Sequence, residues 1–326
     1  MLETRITKLF GIKYPILCGG MFWVARAELI AAVANAGGLG FLTAATYPSI
    51  EELREDIRKT RDLTDKPIGL NINLFASTRA QPVEKWIEVT IDEKIPVVET
   101  SGSSPKGIVE PLHAAGVKVM HKVPGVRYAL SAERLGVDAI CVVGHEAGGH
   151  PGMDEVSTLV MLPVAADAVK LPLVAGGGFA DGRGLAAALV LGADAVLMGT
   201  RFMATKECRG QDAFKEWMVH ATETDTVYCM KSINNPSRLA KNSFVEKVLA
   251  LEKTGATLEE MLPLIVRQGP AVVDTGDMDE GLVSMGESVG LVHDVPTTKE
   301  LIDRMVEEAL AAQERLSGLF AKKTAP

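Results

Sequence analysis

Apolar residues recur along this chain in short runs, separated by stretches with a helical period. Eight runs read as strands: residues 14–18, 40–43, 68–74, 97–100, 117–122, 138–143, 171–175 and 194–198. The sixth and eighth, Asp138-Ala139-Ile140-Cys141-Val142-Val143 and Asp194-Ala195-Val196-Leu197-Met198, are apolar throughout after one acid. That is what strands buried on both faces require. Helices are predicted between the runs, among them 25–36, 49–63 and 83–93. Ser49 is placed to cap its helix, with Glu52 three residues on to complete a capping box. Gly116, Gly136 and Gly192 each stand where a helix must end and a strand begin, the position of a glycine cap.

Strand then helix, eight times over, predicts an α/β fold of the (β/α)8 TIM-barrel type. An open doubly wound sheet would carry a G-x-G-x-x-G turn after its first strand. Here that strand runs into Gly19-Gly20-Met21, which does not fit. Between residues 207 and 276 the strand pattern stops, and 214–222, 238–253 and 258–268 read as amphipathic helices. The expected organisation is a barrel from 1–206 and 277–326 with a small inserted α-helical domain at 207–276. A glycine-punctuated return at 281–292 and a long terminal helix at 298–320 complete it.

Composition narrows the partners. Of 326 residues 47% are hydrophobic, ample for a large core. Thirty-four basic against forty-two acidic residues give a net charge of −8, which argues against a nucleic-acid partner. The N-terminus lacks the apolar core of a signal peptide, and the longest apolar stretch, near 185–198, is broken by Asp194 and too short for a bilayer. Cys18, Cys141, Cys208 and Cys229 show no C-x-x-C spacing, so reduced thiols in a cytoplasmic protein are expected. A small-molecule substrate and a monomer or homodimer follow as expectations.

Candidate chemistry sits where strands end. In barrels a phosphate often rests on the loops after strands seven and eight. Here those loops are Gly176-Gly177-Gly178 and Gly199-Thr200-Arg201. Their glycines allow close backbone approach, and Thr200 adds a hydroxyl donor. His150 follows strand six behind Gly148-Gly149, positioned to act as acid or base at the mouth. Lys122 ends strand five, where it can stabilise negative charge or form a surface ion pair. Asn71 lies mid-strand and needs buried partners. Cys18 reads as apolar filler, His145 and His121 as structural or solvated. No third ligand is spaced for a metal.

Together, Gly19-Gly20-Met21-Phe22-Trp23-Val24, Ala34-Asn35-Ala36-Gly37-Gly38-Leu39-Gly40, Glu146-Ala147-Gly148-Gly149-His150-Pro151-Gly152, Gly177-Gly178-Phe179-Ala180-Asp181-Gly182-Arg183-Gly184 and Met198-Gly199-Thr200-Arg201-Phe202 resemble the nitronate monooxygenase (2-nitropropane dioxygenase) family. The resemblance runs from Thr4 to about Val306. It implies a TIM barrel with a helical insert and non-covalent FMN at the mouth. By position, it implies that Gly20 and Met21 approach the flavin ring, and that Asn71 and Lys122 bond its edge or ribityl chain. Gly149 lies near the ring; Gly177, Gly178, Gly199 and Thr200 hold the phosphate; His150 is the active-site histidine, and in a reductive reading Lys122 would act with it by stabilising charge on the reduced ring.

The run Gly149-His150-Pro151-Gly152 and the segment from Met230-Lys231-Ser232 to Asn242 resemble most the class that includes NADH:quinone reductases. That class implies electron transfer from NAD(P)H through FMN to a quinone or conjugated carbonyl. The family's other branches imply oxidation of alkyl nitronates with oxygen, or enoyl-ACP/enoyl-CoA reduction. Rival classes are a flavin-sensing barrel without turnover, and a flavin-free aldolase or isomerase using Lys122 as a Schiff base. One departure stands out. Met285-Gly286-Glu287 carries a carboxylate where relatives often have Gln, and Glu287 would oppose an anionic phosphate.

Overall fold

The computed structural model describes residues 2–75, 82–265 and 270–320. Eight parallel strands close into a barrel: β1 (Ile16–Cys18), β2 (Leu39–Thr43), β3 (Gly69–Asn73), β4 (Val97–Ser101), β5 (Lys118–Val123), β6 (Ala139–Val143), β7 (Leu173–Gly176) and β8 (Ala195–Met198). β1 pairs with both β2 and β8, with Leu17 beside Leu39 on one side and Leu197 on the other, so no sheet edge is left open. All eight predicted runs became barrel strands, in order.

The helices follow in the expected alternation. α1 (Arg5–Phe10) precedes β1. Then come α2 (Ala27–Asn35), α3 (Ile50–Leu63), α4 (Val83–Asp92), α5 (Val109–Ala114), α6 (Val126–Arg134), α7 (Thr158–Ala168) and α8 (Gly182–Val190). Ser49 caps α3, accepting from Glu52 N at 3.2 Å. Its hydroxyl bonds the Glu52 carboxylate, so that carboxylate does not close the box on Ser49's own backbone N–H. Gly116, Gly136 and Gly192 all adopt positive φ at the helix-to-strand joints.

Two apolar layers hold the barrel. Inside it, Leu17, Leu39, Phe41, Val97, Met120, Val174 and Leu197 pack together, and Ile6 and Phe10 of α1 join that cluster. Outside it, residues of opposite phase such as Ile16, Leu42, Val98, Val119, Ile140 and Val196 pack with the helices. Each fully buried Leu or Ile contributes roughly 1.5–3 kcal/mol.

After β8 come α9 (Thr200–Met203) and α10 (Asp212–His220). The insert region then departs from the all-helical expectation. Residues Thr226–Cys229 (β9) and Ser237–Ala240 (β10) form an antiparallel ribbon. The predicted helix 238–253 therefore splits, its first residues joining β10 and the rest forming α11 (Ser243–Lys253). Thr226-Val227-Tyr228-Cys229 is a β-favouring run, and Arg238 can pair its backbone because Tyr228 lies opposite. α12 (Leu258–Ile265) follows; residues 266–268 of the third predicted insert helix lie outside the described residues. α13 (Pro270–Thr275) leads into the return segment. α14 (Thr298–Phe320) then packs on α8 and α2. Among the described residues no helix is long and apolar enough to cross a membrane.

Candidate active site

The two-residue period of a strand decides which side chains face the barrel axis. On β4, Val97 and Glu99 share the inner face; on β5, Met120 and Lys122 do; on β3, Asn71 does. Register sets Asn71 beside Glu99, with Lys122 two residues above Met120. The result is one polar cluster within an otherwise apolar interior.

Glu99 is its centre and is fully buried. Its Oε2 accepts from Gly20 N at 3.1 Å and from Asn71 Nδ2 at 3.0 Å. Its Oε1 lies 2.9 Å from Lys122 Nζ. Burial pulls the Lys122 amine down, but the Glu99 charge and contact prevail and hold its pKa above the ordinary value. Glu99 escaped the sequence reading. Its signal was an acid between Val98 and Thr100, in a strand that must be buried on both faces.

Gly20 must be bare. A Cβ there would stand 2.4 Å from Asn71 Cβ. Thr43 Oγ1, also against Gly20, is buried and has no hydrogen-bond partner among the described residues. Met21 lies by Gly199, where an added Cβ would come within 3.3 Å of Met21 Sδ.

Gly177 and Gly178 follow β7, and Gly199 and Thr200 follow its neighbour β8. Gly177 and Gly178 have φ of +93° and +84°, so their backbone takes a path that side-chain-bearing residues avoid. Thr200 is buried, and its Oγ1 accepts from Gly286 N at 3.0 Å, which leaves the hydroxyl proton free to donate. Gly148 and Gly286 cross backbone to backbone: a Cβ on Gly148 would meet Gly286 N at 2.8 Å. Glu146 accepts from Thr158 N at 2.9 Å and so caps α7.

Glu287 is not left to repel an anion. Arg238 Nη1 of β10 lies 2.9 Å from its Oε1, and His145 Nε2 lies 3.9 Å away. Arg238 is buried, and its Nε donates to His145 O at 2.8 Å. Its backbone exchanges two hydrogen bonds with Gly149, at 3.0 and 2.7 Å. The sequence reading missed Arg238 because its partners lie far away along the chain.

His150 reaches the open side of this arrangement. Its Nε2 lies 3.0 Å from Asn235 Oδ1, and its ring sits against Phe75, centroids 4.8 Å apart. Surrounding protein strips water from the ring and lowers its pKa; the Asn235 bond opposes this and the Lys122 charge adds to it. The structure does not place His150 in contact with Lys122. His121 faces outward, with Nδ1 2.8 Å from Thr100 Oγ1, and burial lowers its pKa to about 4. Cys18 packs toward the helices, and burial raises its thiol well above the usual value, as suits a filler.

Three features fit a bound flavin mononucleotide. Half-buried, bare backbone at Gly20 lies beside a Thr43 hydroxyl that has no partner among the described residues. A fixed cation, Lys122, stands next to it. Bare glycine loops with a spare Thr200 proton suit a phosphate.

A closed (β/α)8 barrel with this cluster at its strand ends is the frame of a flavin-dependent oxidoreductase. Comparison with known proteins gives the family. The nitronate monooxygenase family model matches residues 3–308, and the chain belongs to that family, whose members are FMN enzymes. It is 34% identical to a (3aS,4S,5R,7aS)-5-hydroxy-7a-methyl-1-oxo-octahydro-1H-indene-4-carboxyl-CoA dehydrogenase of Rhodococcus jostii, over 98% of this chain and 99% of that one. It is 31% identical to a probable nitronate monooxygenase of Staphylococcus saprophyticus, over 76% and 81%. Among solved structures, FabK from Thermotoga maritima is 36% identical, covering 98% of this chain and all of the other, with a TM-score of 0.89.

Proposed function

We propose that the protein transfers electrons from NAD(P)H, through FMN, to a conjugated carbonyl acceptor, with an acyl thioester as the favoured class. The observation that carries this reading is the Glu99-anchored Lys122. It holds the Lys122 ammonium beside bare backbone, where it would stabilise negative charge on a bound flavin ring. Gly20, Met21 and Asn71 would receive the ring, with Gly149 nearby. Gly177, Gly178, Gly199 and Thr200 would hold the phosphate. Bound FMN supplies the two-electron chemistry.

His150 stands across the mouth from this cluster and holds or gives a proton to the acceptor's oxygen. Its pKa lies below the ordinary value, so the ring gives up a proton readily and serves as a relay, not a fixed charge. Two relatives matched over nearly their whole length support the thioester class: the Rhodococcus protein, named as a carboxyl-CoA dehydrogenase, and FabK. A quinone acceptor fits the same charge pattern. The relatives named as nitronate monooxygenases keep a nitronate as the rival reductant.

The test is anaerobic mixing of the purified flavoprotein with NADH, NADPH or an alkyl nitronate while flavin absorbance is followed. Bleaching by a nicotinamide, with recovery on adding crotonyl-CoA, is the expected result. Recovery with benzoquinone only moves the acceptor to quinones. Bleaching by nitronate and by neither nicotinamide overturns the proposal.

A further inference from the structure

The insert's ribbon of β9 and β10 ends in a turn beside His150. Its turn, residues 230–236, carries Met230 and Asn234 at φ of +63° and +54°. Asn235 N donates to Met230 O at 3.1 Å and Asn234 N to Lys231 O at 3.1 Å, closing the turn on itself. From behind, the Glu252 carboxylate of α11 accepts from Met230 N at 2.7 Å and Ser232 N at 3.0 Å. The turn is thus bonded within itself and to a helix.

The same ribbon is tied to the loop that carries His150, on both sides of it. Before His150, Gly149 and Arg238 exchange backbone hydrogen bonds. After it, Tyr228 Oη donates to Gly152 O. Asn235 and His150 are therefore held at a fixed separation. At one side of the imidazole stands Phe75; at its Nε2 stands the Asn235 carbonyl.

We infer that Asn235 is a positioning residue for His150, holding one proton on Nε2 and leaving Nδ1 as the ring atom that takes up a second proton and passes it to the acceptor. An amide oxygen accepts only, so a neutral imidazole bonded to it must carry its proton on Nε2. Among the described residues no group hydrogen-bonds Nδ1. The inference rests on the proposed role of His150.

The charges around His150 are few. Lys122 on β5 is matched by Glu99 on β4, and Arg238 on β10 is matched by Glu287. Lys231, in the turn, is matched by Glu155 in the loop after β6. Phe75 after β3 brings no charge. Asn235 is the group through which the ribbon acts on the ring.

The experiment uses full-length holoenzyme labelled with nitrogen-15 histidine, with the His150 signals identified by their loss in His150→Ala. Wild type should show the Nε2–H tautomer. Asn235→Ala should mix the tautomers and move the titration to lower pH, and Asn235→Asp should move it to higher pH. With NADH and crotonyl-CoA, Asn235→Ala should lower kcat/KM on the order of tenfold, part of the 10²–10⁴ that a positioned acid or base contributes. An unchanged tautomer and titration in Asn235→Ala, with FMN still bound, overturns the inference. Full turnover by His150→Ala overturns the catalytic role instead, and the tautomer data tell the two failures apart.

Discussion

Lys122 Nζ lies 2.9 Å from Glu99 Oε1, and Glu99 is completely enclosed while Lys122 keeps about a quarter of its side chain open. The pair is thus buried at one end and faces the mouth at the other. Glu99 also ties down Gly20 N and Asn71 Nδ2, so three groups proposed to meet the cofactor share one carboxylate.

Removing either partner strands the other. Glu99→Gln or Lys122→Met should each destabilise the apoprotein by about 2–4 kcal/mol in urea, somewhat softened because the Lys122 amine reaches water. The double variant Glu99→Gln/Lys122→Met should regain more than half of that loss. Additive losses would show that the two side chains do not act as a pair.

Gly20→Ala places a methyl 2.4 Å from Asn71 Cβ, a contact that something must relieve. The strand interior offers little give, so Asn71 is displaced and its bond to Glu99 breaks. The variant should unfold about 1–3 kcal/mol more easily and be purified with reduced FMN. A flavin content equal to wild type would contradict this account of the glycine.

Arg238→Ala leaves Glu287 facing the phosphate loops with no matching cation. FMN affinity should fall on the order of tenfold, a loss of about 1.4 kcal/mol. Glu287→Gln in the same chain should restore most of it, since the repulsion is then gone. Flavin fluorescence titration of the three apoproteins gives the comparison. Weak binding that the second change does not restore would point to loss of the Arg238 Nε bond to His145 O instead.

His121 sets an acid limit on stability. In the unfolded chain it takes up a proton near pH 6.5, but in the fold only near 4. Stability is therefore intact above pH 6.5 and declines as pH falls toward 4, because the unfolded state binds the extra proton first. The decline reaches about 3 kcal/mol from this group. His121→Gln should flatten that part of the pH profile of urea midpoints; an unchanged slope would assign the acid sensitivity elsewhere.

The barrel was legible because its signal is local. A buried parallel strand must be apolar within a handful of residues, and three of the helix-to-strand joints carry a glycine, Gly116, Gly136 and Gly192. Gly177, Gly178, Gly199 and Thr200 could be placed for the same reason, since loop order follows strand order. What was not legible depends on distant pairing. Glu99 reads as an odd acid until Lys122 and Gly20 are known to flank it. Glu287 reads as a repulsive charge until Arg238 is brought against it. The ribbon escaped notice because its strands are four residues each, and Arg238-Leu239-Ala240 continues into a helical pattern.

The crossing of Gly148 with Gly286 has a consequence for synthesis. The loop after β6 is finished by mid-chain, yet the segment that packs on it and bonds Thr200 arrives only with Gly286. The ring of helices waits longer still, since α14 must seat between α2 and α8, where Glu308 accepts from Gly182 N at 2.8 Å. A nascent chain can therefore form most of its strands on the ribosome and still lack a finished phosphate seat. On the proposed phosphate site, flavin should be captured only at the end of translation or after release, and chains truncated before α14 should leave the ribosome as poor flavin acceptors.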